Sequence, residues 1–169
     1  MKKTLKVALY ILLALVLIVL AYVIYVFAAY YRVEDMQKLG VAHCDAASAA
    51  PMADAPQTGV TYRVSSANVG FGAYSDDYSF FMDGGKESRA RSRQAVDENM
   101  RGEVSLVKDL SPDFALFQEV DIDGTRSWHI AEDAYLDDVM GNSEFNKVFA
   151  QNYDSPYLFY PLINPHGAN

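Results

Sequence analysis

Two side chains in this sequence have the types and spacing that a cation or phosphate site needs. Asn68 closes the run 60–69 (VTYRVSSANV), and Glu119 closes the run 113–119 (DFALFQE). The first run reads as a strand ended by Gly70 and Gly72, and the second as a short apolar strand buried on both faces. Between them, 89–110 reads as a helix. Val96, Met100, Val104, Val107 and Leu110 recur at spacings of four and three, with polar residues on the remaining positions. Gly102 weakens that helix by about 1 kcal/mol relative to alanine, and Ser111-Pro112 stops it. A strand–helix–strand crossover is parallel and right-handed. Both strands then end at one edge of the sheet, about 4.8 Å apart, where open α/β sheets bind ligands. A carboxylate and a carboxamide meeting there suit a hard cation or a phosphate. The bland alternative is a loop cap and a turn.

The elements that must carry this edge form the region 60–169. A polar-aromatic loop containing Asp83-Gly84-Gly85 fills 71–88, and later runs read as a short helix near 131–140 and strands near 145–152 and 157–163. Residues 42–59 (AHCDAASAAPMADAPQTG) lack core-forming side chains and read as the spacer of a linker spanning 32–59. From residue 7 to residue 31 no charge occurs. As a helix that run is about 37 Å long, enough to cross a hydrocarbon core of roughly 30 Å. Tyr22, Tyr25, Tyr30 and Tyr31 gather toward its far end, as interfacial aromatics do. Lys2, Lys3 and Lys6 precede the run, so residues 1–6 are expected in the cytoplasm and everything after Arg32 outside, on a single span. A cleaved signal peptide is the competing reading, although its apolar region is usually only about 7–15 residues.

The formal charge is −8, and the basic residues of the extreme N-terminus all precede the first acid, Glu34. So acidic a domain does not attract polyanions by itself, and no stable nucleic-acid binding is expected. One cysteine, Cys44, excludes an internal disulfide framework and a cysteine-rich zinc site.

The stretches TYRVSSANVG and DFALFQEVD, separated by a helix, resemble the opening of the endonuclease/exonuclease/phosphatase superfamily. SANVGFGAYSDDYSFFMDGGKESRARS, FQEVDIDGTRSWHI and NYDSPYLFYPLINPHG are most similar to its membrane-anchored bacterial branch. The resemblance covers 60–169. It implies an α/β fold, the N-terminal half of a four-layered α/β sandwich, preceded here by one transmembrane helix. It further implies phosphoester hydrolysis with Mg²⁺ or Mn²⁺, with Glu119 as the metal-binding glutamate and Asn68 as the asparagine supporting metal and phosphate. A cation held there would neutralise phosphate charge and act as a Lewis acid, letting an acidic protein accept an anionic substrate.

The resemblance stops before the family's later Asp-x-Asn segment and near-terminal Asp-His pair, which position and activate water. The chain is therefore expected to be the N-terminal portion of a longer protein or a truncated product, inactive alone. A non-catalytic, membrane-tethered binding protein is the alternative. The loop DIDGTRSWHI follows Glu119 and would overhang the same edge. There Arg126 is expected to contact substrate phosphate and His129 to donate a proton or a hydrogen bond. The competing reading is a solvated loop with Trp128 packed inward. Asp121, Asp123 and Glu132 mimic positions 1, 3 and 12 of a calcium loop, but Arg126 stands where such a loop needs glycine. Arg89, Arg91, Arg93 and Arg101 read as a solvated helix face; Tyr153 with Asp154 reads as lining the site edge or, alternatively, as strand-end packing, and His43 and His166 carry no assigned role.

Overall fold

The structure is a computed structural model that describes residues 3–31, 33–42, 55–141, 145–152, 154–155, 158–162, 165 and 167. The apolar N-terminal run forms helix α1, Lys3–Ala29, which is long and apolar enough to span a membrane. None of its residues is buried by the rest of the chain. It begins four residues before the charge-free run and includes Lys3 and Lys6. It ends before Tyr30 and Tyr31, which were expected inside it.

The linker is not wholly a spacer. Strand β1, Val41–Ala42, pairs antiparallel with β4, Lys147–Val148, and Tyr31 forms an isolated bridge with Asp154. Residues just beyond α1 are thus fastened to the distal part of the chain. His43 and Cys44 lie outside the described residues, as do Tyr153 and His166.

The centre of the fold is the expected parallel crossover: β2 (Val64–Asn68), α2 (Arg93–Asp109) and β3 (Phe114–Gln118). Its register sets Val64 opposite Phe114 and Asn68 opposite Gln118, so Glu119 stands one residue past the end of the ladder. Strand β2 is shorter than the run 60–69, because Arg63 fastens its start to the turn after α2. The Arg63 amide donates to Asp113 Oδ2 at 2.7 Å, and its guanidinium binds the Leu110 carbonyl.

Helix α2 starts at Arg93, with Arg89 and Arg91 in the preceding loop. The reason is Ser92, whose extended backbone and hydroxyl, accepting from the Ala95 amide at 3.0 Å, make it the N-cap. Ser92→Ala is expected to lower stability by about 1 kcal/mol, read from urea unfolding of the detergent-solubilised chain. Val96, Met100, Val104 and Val107 form the buried stripe, as their spacing predicts. Leu110 lies past the helix end and is exposed.

The core joins that stripe to Val69, Phe71, Ala73, Ala90, Ile130 and Met140. Gly72 packs on α2 with a φ of +60°, and a Cβ there would stand 2.7 Å from Val96 Cγ1. This is a close approach that only glycine permits. Helix α3 (Asp133–Leu136) continues into a π-helical turn, Asp137–Gly141, within the 131–140 region expected to be helical.

Two expectations fail. Strand β3 is buried on one face only: Ala115 and Phe117 are half-buried, while Phe114 and Leu116 are exposed. Apolarity on both faces of the run concealed the fact that only one is covered. The strands expected at 145–152 and 157–163 reduce to β4 and, among the described residues of 157–163, to no named strand. Pro161 lacks an amide donor and breaks that second run. The architecture is mixed α/β, with three helices and two two-stranded sheets among the described residues.

Candidate functional site at the edge of the parallel strand pair

The register that brings β2 and β3 to one edge also brings their terminal side chains together. Asn68 Nδ2 donates to Glu119 Oε1 at 2.9 Å, and Asn68 Oδ1 accepts from the Gly70 amide at 2.9 Å. The carboxamide is therefore oriented from both ends. Glu119 has φ 57°, a left-handed conformation that costs a non-glycine residue about 1–2 kcal/mol. Its carbonyl accepts from the Phe71 amide at 2.9 Å, which holds that turn. The Glu119 side chain remains 42% exposed, so its carboxylate is open to solvent.

Arg126 reaches the same place from the following loop. Its Nη1 lies 3.7 Å from Glu119 Oε2, and the guanidinium stacks 4.2 Å above the Phe71 ring. Its shortest bonds go elsewhere: Nε and Nη2 grip Asp121 at 2.9 and 2.8 Å. Burial works against the Arg126 charge, but the bonds and charge of Asp121, with Glu119 and Glu132 beyond, hold the guanidinium above its ordinary value. Arg126 is thus first a clamp on a buried carboxylate and only second a neighbour of Glu119. Asp121 also accepts from Ser127 Oγ at 3.0 Å. A Cβ at Gly124 would fall 2.2 Å from Asp121 Oδ2, so glycine is required where the loop passes.

Glu132 completes this buried layer. Its Oε2 accepts from the Asp121 amide at 2.8 Å, whereas Oε1 is buried with no hydrogen-bond partner. Burial pushes its carboxyl up to about 8. Asp121 and Glu132 are therefore tied into a loop built on Arg126.

His129 does not join Asn68 and Glu119. Its Nδ1 lies 2.8 Å from Asp123 Oδ1. Its ring borders an open groove of about 720 Å³ between α2 and α3, shared with Arg93, Asp97, Arg101 and Tyr135. Neither Asn68 nor Glu119 lines that groove. The reason is local: Trp128 and His129 are both left-handed, with φ 61° and 56°, and the chain turns Trp128 onto Ala90. Trp128 Nε1 donates to the Ala90 carbonyl at 2.6 Å, and Arg89 stacks on its ring, so the inward packing of Trp128 is present.

The remaining arginines are not a free basic face: Arg91 pairs with Asp77 and Glu87, and Arg101 with Asp97 and Asp138. An Asp-x-Asn triplet, Asp97-Glu98-Asn99, lies within α2 and is structural, with Asp97 accepting from Tyr135 Oη and Asn99 donating to the Gly72 carbonyl.

Sequence reasoning missed Phe71 and Tyr74 beside the edge. Burial, then the charges of Asp83 and Glu119, raises the Tyr74 hydroxyl above its ordinary value. The aromatic run GFGAY after Asn68 was the available signal.

As a metal ligand set, the edge offers one exposed carboxylate, because the Asn68 amide presents N–H to it. Among the described residues no group of three or more His, Cys, Asp or Glu side chains could hold a metal ion. That donor set does not make a protein cage for Ca²⁺ or Zn²⁺. One exposed carboxylate could take part in holding Mg²⁺ only together with waters and substrate phosphate. Searches against family models, curated proteins and solved structures found no match to this chain.

Proposed function

We propose that this chain is a membrane-anchored, divalent-cation-dependent phosphoester-binding domain of the hydrolase type, held by α1 with its N-terminus in the cytoplasm. The observation that carries this reading is the Asn68–Glu119 pair. An oriented carboxamide and an exposed carboxylate meet at the carboxyl edge of a parallel strand pair, with Arg126 Nη1 3.7 Å away. The resemblance of 60–70 and 113–121 to the endonuclease/exonuclease/phosphatase superfamily supports it. So does the α2-covered crossover, which would form part of a four-layered sandwich.

In this reading Glu119 would hold Mg²⁺ or Mn²⁺, and the bound cation supplies Lewis-acid stabilisation of phosphate charge. Asn68 holds one carboxylate oxygen, Oε1, through its 2.9 Å bond. Arg126, already committed to Asp121, adds positive charge beside the phosphate position without releasing its clamp. His129 has no part in the edge, and proton transfer by it is not proposed.

Mn²⁺ titration of the full chain in detergent, followed by electron paramagnetic resonance, tests the site directly. Glu119→Gln is expected to weaken Mn²⁺ binding by at least about tenfold with unchanged circular dichroism. Unchanged affinity overturns the reading. A second reading, a non-catalytic tethered binding module, is favoured by the commitment of Arg126 to Asp121. Bis-p-nitrophenyl phosphate separates the two. Mg²⁺-dependent release of nitrophenol that Glu119→Ala abolishes selects the hydrolase over the module.

A further inference from the structure

We propose that Phe159, Tyr160 and Leu162, with Met82 next in sequence to the Phe81 that Tyr160 touches, form a second membrane contact that enters the lipid interface alongside α1. The proposal rests on the reading of α1 as a membrane span.

Two fastenings set the level of this patch against the helix. Tyr31, two residues beyond the end of α1, bridges Asp154. Phe159 donates its amide to the Tyr22 hydroxyl at 2.8 Å, well down the helix. From Ala29, the last residue of α1, back to Tyr22 is about 10 Å along the helix axis at 1.5 Å per residue. The distal chain therefore stands at the exit of the span at Asp154 and below that exit at Phe159.

The depth follows from the length of α1. A hydrocarbon core of about 30 Å takes up roughly 20 helical residues. Counted from Val7, the first residue after Lys6, it ends near Val26. Tyr22 then lies about 6 Å inside the boundary, a depth comparable to the roughly 5–10 Å reached by the apolar face of an interfacial helix. At that depth a backbone amide finds little water and needs a partner from the protein. Tyr22 provides one for Phe159.

The side chains suit the location. Phe159, Tyr160, Leu162 and Met82 are 57, 66, 72 and 73% exposed, the composition of an interfacial belt rather than of a soluble surface. Tyr160 makes an edge contact with Phe81, ring centroids 6.1 Å apart, which ties the patch to the short helix Phe81–Asp83. A soluble partner or a second copy would have to reach the patch at the level of the span. Lipid is already there.

The test uses the full chain in a Cys44→Ser background, reconstituted in phosphatidylcholine vesicles carrying nitroxide-labelled lipids. Single cysteines are introduced by Leu162→Cys, Met82→Cys, Leu106→Cys or Leu13→Cys and labelled with an environment-sensitive fluorophore. Shallow nitroxides are expected to quench the labels at 162 and 82 at least about twofold more than the label at 106, an exposed position on α2. Deep nitroxides are expected to quench the label at 13. If 13 is quenched while 162 and 82 behave like 106, the second contact is wrong and the span stands. If 13 is not quenched, the span reading fails and takes the proposal with it. Blue-shifted emission at 162 that lipid nitroxides do not quench means that protein covers the patch, which also overturns it.

Discussion

Arg126→Ala is expected to destabilise the domain by about 3–5 kcal/mol, the usual effect of removing one partner from a buried ion pair. Asp121 is only 2% exposed, and without the guanidinium it keeps the Ser127 hydroxyl as its side-chain donor. The stack on Phe71, at the centre of the core, is lost at the same time. Chemical denaturation of the detergent-solubilised chain reads the effect. Combining Arg126→Met with Asp121→Asn removes both charges and is expected to recover most of the loss, since the single variant is penalised mainly for a stranded carboxylate. A loss below about 1 kcal/mol for Arg126→Ala would show that the clamp is not structural. Arg126 would then be free to serve the Glu119 edge alone.

The second large effect is a stability that falls as the solution becomes alkaline. Glu132 is fully buried, its Oε1 has no partner, and burial raises its carboxyl from 4.5 to about 8. The folded state therefore holds this proton more tightly than the unfolded chain does. The resulting stabilisation is complete below about pH 4.5, shrinks as pH rises from there, and is gone above about pH 8. At about 1.4 kcal/mol per unit, the loss between pH 6 and pH 8 is on the order of 2–3 kcal/mol. Glu103, half-buried on α2 and raised to about 7 by its burial, contributes with the same sign. Asp121 and Glu103 oppose the Glu132 charge, and Arg126 favours it. Glu132→Gln keeps an oxygen for the Asp121 amide and removes the titration. Its denaturation midpoint is expected to change far less between pH 6 and pH 9 than that of the parent chain. An equally steep profile in the variant would assign the pH dependence to other groups.

What could be read directly from the letters was whatever depends on nearby residues. The spacing of Val96, Met100, Val104 and Val107 identified the buried face of α2, and the strand–helix–strand order brought Asn68 beside Glu119. The fate of the loop after Glu119 was not legible, because it turns on which acid Arg126 reaches. Asp121, Asp123, Glu119 and Glu132 are all close in sequence, and their spacing does not say that Arg126 takes Asp121, or that Trp128 and His129 turn left-handed. That turn sends His129 to Asp123 and away from the edge. The exposure of Phe114 and Leu116 was hidden for a different reason: an apolar strand reads the same whether one side or both are covered. The pairing of Val41–Ala42 with Lys147–Val148 joins segments about a hundred residues apart, and neither has a pattern of its own.

The parallel register has a kinetic consequence. Val64 finds its partner only at Phe114, so β2 waits through roughly fifty residues of synthesis, and through the folding of α2, before its ladder can close. Until then Val64, and afterwards Phe114 and Leu116, stand open to other chains. Refolding from denaturant should therefore be slow and concentration-sensitive, with dilution raising the yield more than cooling does.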